Sequence, residues 1–429
     1  MFIKEIKALE ILSSAGRPTI QAKVTLNNGI AGVASVPIGT SKGKYEAKEL
    51  YDGGIRYRGY GVRKAVNNIN QFIAPSMKGW EVIQQRAIDE FLIELDGTKD
   101  KRRLGSNAIL AVSLAVAKAG AESIGLPLYR YIGGLGTKRL PMPLATMIAG
   151  GEYSPSMLDF EDYLLVFNCF ETLADAVEAL MEIRCCLGEL MTRKYGAIPS
   201  VTGGAYAPPL ESTEEAFDMM LESVEKAGFS KRVTLGLDIA GSELFNENRR
   251  YKIKGKEITN EELSHYLVDL SVQYPLVFIE DPFHQDDFDS FAKLTSCLPH
   301  IQIVGDDLFA TNPDRIKRGI KKKSCNTVLL KVNQIGTLSE ACDAALLAKH
   351  NNYEVAVSMR SSDTTDSFIA DLAVGLGALQ IKLGSPVSGE RSAKYNRLLE
   401  IEQELAFETR FVREHTDYSE RLLDTPLKN

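Results

Sequence analysis

The chain has 429 residues, more than one hydrophobic core ordinarily supports, so two domains are expected. With 44% apolar and 25% charged residues it has the composition of an ordinary globular protein. Its net charge of −7 argues against nucleic acid or an anionic membrane as the main partner.

The N-terminus, Met1-Phe-Ile-Lys-Glu, lacks the basic segment, apolar stretch and cleavage site of a secretory signal, and a cytoplasmic location is expected. The first forty residues read as β structure. Ile20, Ala22, Val24 and Leu26 alternate with Gln21, Lys23 and Thr25, the period of a half-buried antiparallel strand. The turn Asn27-Asn28-Gly29 then predicts a hairpin. Helical patterns follow at 61–75, 82–94 and 106–124, the last with Ser106 as candidate N-cap. Its apolar run, Ala108 to Ala117, ends at Lys118, too short for a bilayer and suited to a buried helix. Strands first and helices afterwards predict an α+β unit over 1–137, closing near Gly133-Gly134-Leu135-Gly136.

Over 138–429, strand and helix patterns alternate as a (β/α) barrel requires. Leu338, Cys342, Ala345 and Leu346 have the spacing of a helix laid against a sheet. Six cysteines show no zinc-binding spacing, and reduced, mostly buried thiols are expected. The charged tail from Arg410 to Asn429 reads as surface.

Within the barrel region, charged residues stand just after short apolar runs: Asp238, Glu280, Asp306, Lys331, Arg360 and Lys382. From Glu280 onward they recur at intervals of one strand plus one helix. Such barrels build active sites at the carboxyl ends of their strands. Taken singly, an Asp there is ordinarily a helix cap or turn residue. Three carboxylates together offer all-oxygen ligation to a hard cation, Mg²⁺ foremost. Two lysines and an arginine facing them suit an anionic substrate that loses a proton to a lysine.

Several segments carry a family resemblance. Ile279-Glu-Asp-Pro-Phe, Gly305-Asp-Asp-Leu, Leu329-Leu-Lys-Val-Asn-Gln-Ile-Gly and Ser388-Gly-Glu-Arg-Ser-Ala-Lys-Tyr-Asn resemble enolase. So do Phe91-Leu-Ile-Glu-Leu-Asp-Gly-Thr, Gly105-Ser-Asn-Ala-Ile-Leu-Ala-Val-Ser-Leu-Ala and Leu126-Pro-Leu-Tyr, and the likeness runs from about Ile6 to Leu405. It implies a small α+β capping domain before an enolase-type (β/α)₈ barrel, and a homodimer or higher homo-oligomer. By match, Asp238, Glu280 and Asp306 would hold one Mg²⁺. Ser41, in the loop Ile38-Gly-Thr-Ser-Lys-Gly, would help hold a second with the substrate's phosphate. Lys331 matches the general base, which nearby cations would activate by lowering its pKa. Lys382 matches the partner that supports the substrate carboxylate, a chemistry described for this superfamily in general terms. Arg360 and Ser361 match the phosphate clamp.

The proton-donating half departs from the family. Its Gly-Asp-Glu-Gly-Gly-Phe-Ala-Pro is here Val201-Thr-Gly-Gly-Ala-Tyr-Ala-Pro, with Gly203 at the acid glutamate. Its Gln-Glu pair is Glu161-Asp162, its loop histidine is Tyr153, and the histidine before the phosphate arginine is Met359. Loss of hydroxide needs an acid, and removing one positioned acid costs ~10²–10⁴ in rate. The expectation is therefore retained metal binding and α-proton abstraction with weak or absent dehydration of 2-phosphoglycerate. Glycine at 203 should leave room for a larger substituent. Asp162, Glu161, Tyr153 and Tyr206 are candidate replacement acids, with packing the more ordinary role for the tyrosines and Asp162 the preferred acid. The readings in play are a lyase for a small phosphorylated or phosphonylated carboxylate, similar to carboxyphosphonoenolpyruvate synthases, an atypical enolase, and a non-catalytic binding protein.

Overall fold

The computed structural model describes residues 1–39, 42–137, 139–152, 154–201 and 203–405. Ser41, Tyr153 and the charged tail from Arg410 lie outside the described residues.

Strands β1 (Ile3–Leu12), β2 (Pro18–Leu26) and β3 (Ala31–Ser35) form an antiparallel sheet in that order. Ile20, Ala22, Val24 and Leu26 are fully buried on one face, and Gly29 makes the β2–β3 turn at φ +90°. The helix Ser106–Ser123 crosses this sheet at Gly32, where an added Cβ would meet the Ala115 carbonyl oxygen at 2.2 Å. A side chain there would push helix and sheet apart. The helix is buried along most of its length, which explains its apolar composition on all sides. Ser106 does not cap it. Gly105 holds the cap position at φ +97°, and the buried Ser106 Oγ finds no partner among the described residues.

The remaining strands are β4 (Met142–Ala149), β5 (Asp162–Val166), β6 (Thr234–Asp238), β7 (Tyr251–Ile253), β8 (Lys256–Ile258), β9 (Leu276–Glu280), β10 (Gln302–Gly305), β11 (Thr327–Leu330), β12 (Glu354–Ser358) and β13 (Gln380–Lys382). β7 and β8 make a separate hairpin, and the other eight close into a barrel in the order β4-β5-β6-β9-β10-β11-β12-β13. The expected barrel is present, and within it β5 runs antiparallel to both neighbours. Among the described residues no crossover helix joins β4 to β5, and the chain returns directly as an antiparallel pair does. Reversal brings the first residue of β5, Asp162, to the rim where other strands end, paired with Ala149 and Asp238.

Leu144, Leu164, Val166, Val277, Phe278, Val304, Leu329 and Ala356 fill the barrel interior. The helix Leu338–His350 packs outside through Leu338, Ala341, Ala344, Ala345 and Ala348. Leu346, expected on that face, is 49% exposed, because it is turned about 100° from Ala345 and about 140° from Ala341 around the helix. The thiols also differ from expectation: Cys325 is buried, but Cys185 and Cys297 are exposed on helices, and all six cysteines are free. No single helix among the described residues is long and apolar enough to cross a membrane.

Candidate active site

The strand-end charges converge as their spacing predicts. Asp162, Asp238, Asp306, Lys331, Arg360, Ser361 and Lys382 line one cavity of about 610 Å³, together with Glu161, Gly203 and Arg391. Glu280 lies just beneath, fully buried.

Lys382 is the hub of the lower site. Its Nζ donates to Asp238 Oδ2 at 2.6 Å and Glu280 Oε2 at 2.8 Å, and lies 3.3 Å from Asp162 Oδ2. Burial alone would depress this ammonium, but Asp238, Glu280 and Asp162 outweigh it and hold its pKa well above the ordinary lysine value. Glu280 is shifted upward by its burial and then by the Asp238 charge. Its second oxygen, Oε1, is buried with no hydrogen-bond partner among the described residues.

Lys331 forms a close ion pair with Asp306 Oδ2, while Asp306 Oδ1 accepts from Gln334 Nε2 at 2.7 Å. Thr311 Oγ1 fixes that glutamine by donating to its Oε1 at 2.7 Å. Burial would raise the Asp306 pKa, yet Lys331, Arg360 and Gln334 together hold it below the usual value. The expected lowering of the Lys331 pKa is not met by the protein's own groups. Burial pulls it down, but Asp306 and Glu280 carry it above the ordinary range.

Two carboxylates beside this set were not anticipated. Oxygens of Asp281, Asp306 and Asp307 lie within 4.8 Å of one another. Asp281, however, is engaged: Oδ1 accepts the Asp306 N–H at 3.0 Å and Oδ2 the Asp307 N–H at 2.6 Å. It holds the turn that presents Asp306. Burial and the Asp306 charge push the Asp307 pKa up to about 7. The donors fit a hard divalent cation: they are all carboxylate oxygens, one is buried and unpartnered, and two ammoniums occupy the positively charged positions among them.

Arg360 is buried and pairs through both terminal nitrogens with Glu46, at 3.1 and 3.2 Å, and with Asn333 Oδ1 at 3.2 Å. Glu46 comes from the N-terminal unit, so that unit holds the barrel's Arg360 directly. No local pattern reveals a partner 314 positions away in sequence.

The altered wall is less open than the sequence predicts. Gly203 has φ +98°, and a Cβ there would stand 3.0 Å from Arg391 Nη2. The guanidinium of Arg391 thus takes part of the space expected beside Gly203. Met359 lies against it, its sulfur facing Arg391 Nη1. Among the described residues no histidine lines the cavity. Tyr206 accepts from Arg184 Nη1 at 2.7 Å beneath the Arg184 guanidinium and does not face the cavity, so its role is packing. Glu161 and Asp162 both face the cavity with raised pKa values. Burial is the main cause in each. Asp238 and Asp162 add to the shift at Glu161, while Lys382 opposes it at Asp162. Both carboxyls are suited to hold a proton.

Carboxylates and lysines gathered in one cavity at the strand ends of a closed barrel mark the chain as a barrel enzyme. The match to known families is specific: the description "Enolase, N-terminal domain" covers residues 3–132, and "Enolase, C-terminal TIM barrel domain" covers residues 137–419. A protein named "Enolase" from Methanopyrus kandleri is 50% identical over 410 residues, spanning 94% of this chain and 96% of that protein. Another from Pyrococcus furiosus is 48% identical over 406 residues, spanning 93% and 94%. The chain belongs to the enolase family and is an enolase-superfamily lyase.

Proposed function

We propose that this lyase abstracts the α-proton of a small phosphorylated or phosphonylated carboxylic acid, with a substrate altered at the carbon facing Gly203. Asp238, Glu280 and Asp306 are the proposed Mg²⁺ ligands, supported by the unpartnered Glu280 Oε1. A bound Mg²⁺ would neutralise charge on the substrate carboxylate. Lys331 is the base, Lys382 the cation beside the carboxylate, and Arg360 with Ser361 the phosphate clamp. Asp162 and Glu161 are the carboxyls able to hold a proton on the opposite wall. A homodimer in the cytoplasm completes the proposal. The observation that carries this reading is an intact lysine–carboxylate half facing a wall where Gly203 stands at the position of the family's acid, with Arg391 beside it. A carboxyphosphonoenolpyruvate synthase-like step is one concrete form of it.

Ordinary interconversion of 2-phosphoglycerate and phosphoenolpyruvate is the second reading, favoured by the names of relatives near 50% identity across almost the whole chain. Incubation of 2-phosphoglycerate with the Mg²⁺-loaded protein in D₂O separates them. Deuterium at the α-carbon without enol product supports the first reading. Rapid formation of phosphoenolpyruvate establishes the second and rejects the first.

A further inference from the structure

Arg391 is given no catalytic role above; it stands in the segment Ser388–Asn396 that carries the family resemblance, but Gly203 and Met359 beside it depart from the family pattern. It lies in the first turn of the helix Gly389–Glu404, is only 4% exposed, and lines the cavity beside Gly203 and Ser361. Its contacts are modest for a buried guanidinium. Nη2 donates to the Ser361 carbonyl at 3.0 Å, and Nη1 faces the Met359 sulfur and the Leu383 carbonyl at 3.4 Å. Nε reaches Glu390 Oε1 at 3.4 Å, an oxygen that also accepts from Ser388 at 2.8 Å. Of the other acids whose charge reaches it, Asp363 is taken by Lys394 at 3.2 Å and by the N–H groups of Arg360 and Thr364, and Asp162 lies 3.3 Å from Lys382. Thus, among the described residues, no carboxylate meets the Arg391 fork in the paired geometry that buried arginines ordinarily find. Burial lowers its pKa from the ordinary arginine value, the sign of a charge whose lost hydration is incompletely replaced.

At Gly203 the Nη2 edge of that fork meets the cavity rather than a side chain. Gly203 presents no side chain, and its positive φ disfavours one. Met359 contributes a soft, weakly accepting sulfur that does not neutralise the guanidinium. Arg360, held by Glu46, lines the same cavity, so two guanidiniums offer places for negative charge there.

We propose that Arg391 is a specificity-determining residue that binds a second anionic group, a carboxylate or phosphoryl, on the substrate carbon next to the one that loses its proton. This rests on the family-site reading above and names the substrate class: 2-phosphorylated acids carrying an additional acidic group at the β-carbon. Met359 and Gly203 keep the guanidinium available to that group.

Calorimetric titration of the Mg²⁺-loaded full chain with 2-phosphoglycerate and with 2-phosphomalate, which carries a β-carboxylate, tests it. The wild-type protein should bind 2-phosphomalate at least tenfold more tightly, as a charge-assisted pair predicts. Arg391→Met should collapse that ratio to about one, and Arg391→Lys should keep part of it. Equal wild-type affinities overturn the inference and leave the metal and base assignments standing, as does a ratio unchanged in Arg391→Met. Mg²⁺-dependent binding of neither compound rejects both the inference and the reading beneath it. The wild-type comparison is decisive even if a variant does not fold.

Discussion

Replacing Lys382 by methionine keeps most of the side-chain volume but withdraws an ammonium from between Asp238 and Glu280, its partners at 2.6 and 2.8 Å. Removing one member of a buried ion pair costs about 3–5 kcal/mol, because the charge left behind keeps its desolvation penalty. At about 2 °C per kcal/mol for a large domain, that is a fall of roughly 6–10 °C in Tm. The pH dependence has a definite sign. The Glu280 carboxyl is shifted upward in the folded protein. Its contribution to stability is therefore present below the unfolded value and lost as pH rises through the folded one. Lys382 limits that loss, and the variant lacks the limit. The deficit should be largest near about pH 7.5 and shrink towards about pH 5, where the carboxylates take up protons. Mg²⁺, binding the folded state alone, should restore part of it. Thermal unfolding of both proteins in chelator, across this pH range and then with added Mg²⁺, reads each element. A variant Tm within a degree of wild type near pH 7.5, or a deficit that grows on acidification, refutes the reasoning.

Lys331→Ala should reduce α-deuterium incorporation into 2-phosphoglycerate by ~10²–10⁴, measured by proton NMR. Arg360→Gln should weaken binding of 2-phosphoglycerate by roughly ten- to a hundredfold in calorimetry, since it removes charge-assisted hydrogen bonds to phosphate. Gly203→Ala should lose about 1–3 kcal/mol in urea unfolding, because its φ of +98° is strained for any L side chain and Arg391 stands 3.0 Å from the new methyl. A Gly203→Ala protein as stable as wild type would show that the loop relaxes at no cost.

The six strand-end charges were legible because a strand and the residue after it are adjacent in sequence. The barrel then brings their ends together without further information. The reversed β5 was less legible, since direction depends on whether a connection crosses over, and Asp162 looks the same at either end of a strand. Leu346 and Ser106 misled for local reasons. Helical spacing does not say which of two adjacent stripes faces inward, and a serine one position past a glycine is not the cap. Glu46 and Arg391 belong to segments that carry the family resemblance or adjoin it, but their partners are set by tertiary packing. Asp281 and Asp307 stand beside Glu280 and Asp306 and were overshadowed by them.

The pairing of Ala149 with Asp162 has a consequence for how such a site can change. Because β5 turns back on β4, the segment 150–161 leaves and re-enters the rim at one place, pinned by Gly150 N–H to Glu161 carbonyl at 2.8 Å. Its length is decoupled from the strand register, and doubling such a loop costs only about 0.6 kcal/mol in closure entropy. One wall of the cavity is therefore exchangeable as a cassette, while the lysines and carboxylates opposite remain anchored in the barrel. That segment can be rewritten alone, with the barrel-borne lysines and carboxylates inherited unchanged.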